Sequence, residues 1–354
     1  MKLRYPYMET LNISSTSLTT FPELHRRPYK TVDASWNHIR VLWDEDLPQE
    51  VEEVNLEGNH ITSDGLLPAW PNSIRKLNLS NNRITGVNFV LRWPTSLRVL
   101  NLSNNILGNV LNCRNFPPSL EELDISFTEV THITEFPPNL KVFLSISTPL
   151  QQLPSKCPDS LVKFSVAHAR SLRGIPTNWG NSLEVLELHN VRLREFPRNL
   201  PPTLIHLNLS RNCLRNLPPR EKFPYGLELL HLGDNRIMEL PNWFSQSPRL
   251  RYTIQNNLLL EIPASPNCLI ASPQLIGFKF TQAASRIQRK WRKYKMTSPF
   301  RVWYRVSRLK EELFAVAMCP ERAGKFEDVS PEWGLVYKES QPISRFLCTP
   351  HTCS

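Results

Sequence analysis

The stretch from Leu97 to Asn105, followed by Leu107, has the spacing L-x-x-L-x-L-x-x-N-x-L, and this spacing recurs along most of the 354-residue chain. Successive units begin 20 to 23 residues apart. Twelve units begin at residues 8, 29, 51, 74, 97, 120, 140, 161, 183, 204, 227 and 249. A repeat of this length indicates one supersecondary unit that buries its apolar face only by stacking on its neighbours, so it constrains the fold before any other feature.

Each unit is predicted to contribute one short strand, because the x-Leu-x alternation sends every second side chain into the core. The residue that follows the strand is predicted to occupy a turn, where its carboxamide can bond backbone groups that the turn leaves unpaired. Asparagines in this place are predicted to stack as two ladders, with threonine as a partial replacement at 128 and 148 and no polar replacement at Ala169 and Val191. The two ladders comprise Asn59, Asn82 and Asn105, and then Asn212, Asn235 and Asn257.

The second half of most units carries an apolar residue followed by proline, as in Trp70-Pro71, Phe136-Pro137 and Leu217-Pro218. Proline fixes φ and lacks an N–H donor, so the return arm is predicted to be extended, polyproline-like or 3₁₀ rather than α-helical. The aromatic and aliphatic residues before proline are predicted to fill the core from the convex side.

This pattern resembles the leucine-rich-repeat family, and the short proline-rich units are similar to those of bacterial effectors and of intracellular viral or eukaryotic repeat proteins. The resemblance covers residues 8–263. It implies a leucine-rich-repeat solenoid with a parallel β-sheet on its concave face, an extended or 3₁₀ convex face, and an array that occupies residues 1–263. It does not imply one activity, since function depends on surface residues.

Charge and targeting signals bound the class of protein. The net charge is +10, of which residues 264–354 contribute +8, so the array itself is nearly neutral. The chain has no apolar run long enough for a transmembrane helix, and its first six residues turn polar too soon for a signal peptide. The seven cysteines form no C-x-x-C pair, which favours free thiols in a cytoplasmic protein and disfavours a zinc site.

The candidate binding surface is the concave face of the middle and later units. Outward positions are polar in the first six units, for example Asn78 with Ser80, and change in character afterwards. The candidate residues are Phe127, Leu144, Ile146, His168, His189, His206, Arg211 and His231. Exposed apolar residues on a sheet mark contact sites, so this surface is predicted to bind a protein partner.

Two alternatives stand beside that interpretation. The seventh unit is irregular, and a slip of one residue would bury Ile146 and expose Ser145 instead. The histidines come from different strands without carboxylate support, which favours scattered surface residues over a metal cluster. No cofactor is expected.

The tail divides into a cap or linker at 264–281, basic amphipathic helices at 282–320 and an irregular segment at 321–354. The first helix resembles a calmodulin-binding IQ motif at Ile287, Gln288, Trp291 and Arg292. It departs from that motif at residues 293 and 297. Such a helix could also bind an acidic partner, an anionic membrane or nucleic-acid phosphate. Alternatively, it packs on the last repeat with its Lys and Arg side chains in solvent. The helix with the segment after it resembles tails of repeat proteins of large DNA viruses.

Catalytic signatures are absent from the sequence, including glycine-rich phosphate loops and G-x-S-x-G or H-E-x-x-H motifs. Cys157-Pro158-Asp159 resembles by its letters the Cys-x-Asp of ubiquitin-ligase effectors, but it falls in a repeat turn. The sequence therefore predicts a non-catalytic scaffold that binds a protein on its concave face. Binding of a calmodulin-like protein or an acidic surface through the tail is the first alternative, and a ligase or adaptor is the second.

Overall fold

The computed structural model describes residues 9–259, apart from 25, 45, 88–91 and 245, together with residue 268. Twelve strands, one per repeat, form a single parallel sheet in which each strand pairs with the next repeat. They are β1 (Thr10–Asn12), β2 (Thr31–Asp33), β3 (Glu53–Asn55), β4 (Lys76–Asn78), β5 (Val99–Asn101), β7 (Glu122–Asp124), β9 (Val142–Ile146), β10 (Lys163–Ala167), β11 (Val185–His189), β12 (His206–Asn208), β13 (Leu229–His231) and β14 (Arg251–Thr253).

The register of the sheet follows the repeat. Leu77 pairs with Leu100, and Leu100 pairs with Leu123, so equivalent residues of successive units lie side by side. These inward side chains are at most 1% exposed, and Leu186 is fully buried. The predicted column of inward aliphatic residues is therefore confirmed, and it provides the hydrophobic core of the solenoid.

The return arms are extended or 3₁₀, as predicted. Proline carbonyls accept the N–H of the first residue of the next unit, as Pro94 does from Leu97 and Pro117 from Leu120, so a tight turn leads into each strand. On this side of the solenoid lie a two-stranded sheet and four short 3₁₀ segments. These are β6 (Val110–Leu111), β8 (His132–Ile133), η1 (Ser63–Gly65), η2 (Cys113–Asn115), η3 (Arg220–Lys222) and η4 (Asn242–Phe244). Among the described residues, no helical segment has the length and hydropathy that a membrane crossing requires.

For the structure, positions within a unit are numbered so that the inward residues are 1, 4, 6 and 11 and the asparagine is 9. Position 9 forms the predicted ladders. The Nδ2 of Asn82 donates to the carbonyls of Leu79 in its own unit and Leu56 in the unit before, and its Oδ1 accepts from the N–H of Ile61. Thr128 makes one such bond, from its Oγ1 to the Ile125 carbonyl. One amide therefore links three backbone groups across two repeats, which a threonine cannot do.

Position 5 carries a local cap in most units. In seven units this residue is Asn or Asp, and its Oδ1 accepts the N–H of position 7, as between Asn101 and Ser103 at 2.9 Å. This local bond is an Asx turn, and each of these strands ends after three residues. Units seven to nine lack Asn and Asp at position 5, and their strands reach five residues. Units eleven and twelve also lack them, with His231 and Thr253, but their strands have three residues, so loss of the Asx turn permits a longer strand without requiring one.

Position 8 is left-handed in all twelve units, with φ between 54° and 66°. The residues are Ser15, Trp36, Gly58, Asn81, Asn104, Phe127, Ser147, His168, Asn190, Arg211, Asp234 and Asn256. The N–H of each of the first eleven donates to the position 7 carbonyl of the next unit, as Asn81 does to Ser103 at 2.9 Å. Position 8 therefore forms a regular edge along one side of the sheet, which is named the turn edge below.

Candidate protein-binding face

The face of the sheet that points away from the core changes character at unit seven. Phe143 and Ser145 are buried, whereas Leu144 and Ile146 are half-buried on the outer face. The slip of one residue that the sequence left open has therefore not occurred. Val142 and Val185 lie on the same face, each at the third position of its unit. The outer face of β9 is thus wholly apolar, whereas β10 and β11 mix apolar residues with Lys163, Glu187 and His189.

A shallow notch lies in the middle of this surface. Ser165 and Ala167 point outward on β10, yet they are only 2% and 7% exposed. Leu144 and Ile146 pair with them from β9, and larger side chains of β11 flank them on the other side. The backbones of β9 and β11 lie two strand spacings of about 4.8 Å apart, but their side chains close over Ser165 and Ala167, so the notch is a shallow depression that does not admit a side chain.

Glu187 and His189 form the β11 wall of the notch. Lys163 lies 3.8 Å from Glu187 and closes one end of it. On the turn edge of units ten and eleven, beyond the notch, Arg211 lies 3.8 Å from Asp234. Both pairs are exposed enough to be weak, so they define the rim of the surface and contribute little to stability.

Four histidines continue the surface as two ring pairs. The ring centroids of His168 and His189 are 5.0 Å apart, and those of His206 and His231 are 5.3 Å apart. The Nε2 atoms of His189 and His206 are inaccessible to solvent and have no hydrogen-bond partner among the described residues.

Burial lowers the pKa of His189, and the nearby His168 and Arg211 lower it further. Burial is also the main cause that lowers the pKa of His206 and His231. These three rings are therefore neutral at pH 7. Within the described part of the chain, no group of three or more His, Cys, Asp or Glu side chains is arranged to hold a metal ion.

Three of the predicted site residues lie elsewhere than predicted. Phe127, His168 and Arg211 were placed on the concave strands, but all three occupy position 8 of the turn edge. The strands before them end at Asp124, Ala167 and Asn208, and the left-handed turn redirects the chain. The other five candidates, Leu144, Ile146, His189, His206 and His231, do lie on the outer face.

Sequence reasoning missed Val142, Val185 and the notch at Ala167. A signal for the changed outer face at Val142 and Val185 was present in the sequence, because position 5 loses its Asn or Asp in three successive units. The four residues of the IQ-like motif, and the cap and helices predicted for the tail, lie outside the described residues.

The Cys157 thiol can be assessed directly. It is fully buried, and burial raises its pKa to about 12. Because the thiolate is the nucleophilic form, this thiol is inert at neutral pH. The resemblance of Cys157-Pro158-Asp159 to a ligase nucleophile is therefore a coincidence of sequence.

Comparisons with known proteins agree with this architecture. Family models described as Leucine Rich Repeat match residues 73–91 and 50–68. Keratocan from Mus musculus and Keratocan from Bos taurus are each 32% identical over 127 residues, which cover 33% of this chain and 35% of the relative. The chain thus spans about a third of the length of these relatives.

Solved structures with the same architecture cover more of the chain. YopM from Yersinia enterocolitica WA-314 matches with a TM-score of 0.57 and 28% identity, over 74% of this chain and 54% of YopM. The LRR protein LIC12759 of Leptospira interrogans matches with a TM-score of 0.52 and 20% identity, over 76% of this chain and 75% of that one, and shows the fold alone. The repeats and the parallel-sheet solenoid give the described residues the leucine-rich-repeat fold, which the matched proteins share. Solenoids of this class generally serve as scaffolds for protein–protein interaction.

Proposed function

We propose that this protein is a non-catalytic scaffold that binds a protein partner on the outer face of units seven to nine. The observation that supports the proposal is the partly apolar surface of β9 to β11 with its notch at Ser165 and Ala167. Apolar residues there serve no purpose for the core, and such patches mark contact sites.

One apolar side chain of the partner rests across the notch, between Ile146 and His189. Leu144 and Ile146 supply apolar contact, while the rim pair of Lys163 and Glu187 sets orientation. The small residues between larger ones give the partner a close contact at the centre of the surface, where interface hot spots concentrate. The strands are already ordered, so docking loses little conformational entropy.

The test has two steps and uses the full chain. A photo-reactive amino acid at Ile146 captures the partner in cells, and mass spectrometry identifies it. The same label at Asn101, on the outer face of a polar unit, serves as the control. We expect capture at residue 146 and not at 101, and equal capture at both positions would contradict the proposal.

The second step fills the notch. Ala167→Trp is expected to weaken the captured partner's binding by about tenfold or more, the scale on which interface anchors act. Ser103→Trp is the matched control, because it has the same repeat position in a polar unit. Circular dichroism checks that both variants fold. Unchanged affinity in Ala167→Trp would overturn the proposed site.

A further inference from the structure

The turn edge carries two exposed aromatic residues that its geometry disfavours. Most position 8 residues are Ser, Gly, Asn or Asp, types that tolerate a positive φ. Trp36 and Phe127 adopt φ values of 55° and 56° although bulky side chains rarely do. Their side chains are 57% and 56% exposed, so core packing does not account for them. The fold needs a positive φ at position 8 in every unit but does not need a bulky side chain there, so the two aromatic residues indicate a functional site.

The two rings stand at the ends of a trough that runs along units two to six. The residues at position 8 form one wall, and the residues at position 10 form the other, among them His60, Arg83 and Ile106. The buried asparagine ladder forms the floor, and the trough encloses about 610 Å³. Four repeat steps of about 4.8 Å give a length of roughly 19 Å between Trp36 and Phe127.

The end of the trough at Trp36 depends on Gly58. A Cβ atom added to Gly58 would lie 2.6 Å from Cε3 of Trp36, so the absence of a side chain leaves space for the indole. Gly58 itself has a φ of 66°, which glycine adopts without strain. The indole ring of Trp36 therefore lies over the backbone of Gly58, which leaves space for it.

Between the two aromatic rings, the position 8 wall carries hydrogen-bond donors from successive repeats. Asn104 donates to the Oδ1 of Asn81, and Asn81 donates to the Oε1 of Glu57 at 3.1 Å. Each amide keeps a second N–H, because a carboxamide has two donors. Both asparagines line the trough at repeat spacing, so an extended main chain bound there could pair with the spare donors.

Charge along the trough is uneven. Arg83 is exposed near the middle, and Glu129 is exposed at the Phe127 end. In the part of the chain that the structure describes, neither side chain forms an ion pair. A neutral oligosaccharide would leave both charges unmatched, whereas a peptide can match them.

We propose that this trough binds an extended peptide segment of a protein partner, separately from the face of units seven to nine. About six residues at 3.3 Å each span the distance between the rings. The peptide places an apolar side chain on Trp36 and another on Phe127, an acidic side chain against Arg83, and its main chain along the two amides. Main-chain hydrogen bonds with side-chain anchors at intervals are a general mode of peptide recognition.

The experiment selects peptides from a phage-displayed library of random octamers on the immobilised full chain. Fluorescence polarisation then measures how enriched peptides bind to each variant. Trp36→Asn and Phe127→Asn are suitable changes, because asparagine occupies position 8 at residues 81 and 104 with nearly the same φ. We expect each to weaken binding about tenfold or more without loss of thermal stability. Arg83→Glu is expected to weaken binding of acidic peptides to a similar extent.

Two controls separate this proposal from the proposed function. Ser147→Asn changes the same position outside the trough, and Ala167→Trp blocks the notch, so both should leave peptide affinity unchanged. If no enriched peptide depends on the two rings, or if a glycan array yields a ligand that depends on Trp36 instead, the proposal is wrong. A marked loss of stability in Trp36→Asn and Phe127→Asn would also overturn it, because the rings would then be structural.

Discussion

Units two to six and units seven to nine follow one backbone path but stabilise it in different ways. In units two to six, position 5 is Asn or Asp, each strand ends after three residues, and the outer face is polar. In units seven to nine the Asx turn is absent, the strands reach five residues, and apolar residues such as Val142, Leu144 and Ile146 join the outer face. A repeat can therefore lose its polar cap and carry apolar residues on its outer face without leaving the register.

The position 9 ladder differs in the same way. Units two to five have asparagine there, whereas units six to nine have Thr128, Thr148, Ala169 and Val191. An aromatic cluster lies beneath the region that lacks the ladder, with Phe143 and Phe164 rings 5.4 Å apart and Trp179 5.5 Å from Phe164. Aromatic packing thus takes the place of buried hydrogen bonds.

The largest expected loss of stability comes from a substitution in that aromatic cluster. Phe164→Ala removes a fully buried ring that contacts three other aromatic residues. We expect it to lower the free energy of unfolding by about 3–5 kcal/mol in urea titrations. Phe164→Leu is the control and should cost less than half as much. A small loss in Phe164→Ala would show that the aromatic cluster does not compensate for the missing ladder.

The ladder itself gives the next effect. Asn82→Ala leaves the N–H of Ile61 buried without its acceptor, and it removes one of the two amide donors to the carbonyl of Leu56, which keeps the bond from Asn59. We expect a loss of about 2–3 kcal/mol, because buried unsatisfied groups carry their full desolvation penalty. Thr128→Ala removes one bond at the same repeat position and should cost about 1 kcal/mol. Equal losses in the two variants, measured by urea unfolding, would contradict the distinction between the regions.

The Asx turns should contribute less. Asn101→Ala removes the acceptor for the N–H of Ser103 on a solvent-facing surface. The expected loss is about 0.5–1.5 kcal/mol, as for a single hydrogen bond. Glu187→Ala changes the same position in an uncapped unit and should stay within about 0.5 kcal/mol of the unchanged protein. If both changes cost the same, position 5 does not act as a cap.

The smallest effect concerns pH. Burial lowers the folded-state pKa of His189, His206 and His231, so the unfolded chain binds protons first as the pH falls. The stability that these three neutral histidines contribute is fully present above the unfolded-state pKa of about 6.5, and it is lost as the pH falls below that value. Thermal melts should therefore show lower stability at pH 5.5 than at pH 7.5, and His189→Gln with His206→Gln should reduce that difference. An undiminished difference would assign the effect to other groups.

The sequence predicted the repeat register, the inward column, the asparagine ladders and the 3₁₀ or extended return arms, because each rests on spacing that local physics enforces. It placed Phe127, His168 and Arg211 wrongly because it treated the outer face as continuing past the strand ends. The Ser, Gly, Asn and Asp residues that precede position 9 in most units were the available signal for a left-handed turn. The notch at Ala167 was beyond reach, because a depression depends on how neighbouring strands align their small and large side chains.

Hydrogen–deuterium exchange of the full chain, with and without the partner captured at residue 146, tests the central claim most directly. The claim predicts slower exchange in β9, β10 and β11, at residues 142–146, 163–167 and 185–189, and unchanged exchange in β3, β4 and β5. Protection of residues 53–55, 76–78 and 99–101, with β9 to β11 unchanged, would contradict it.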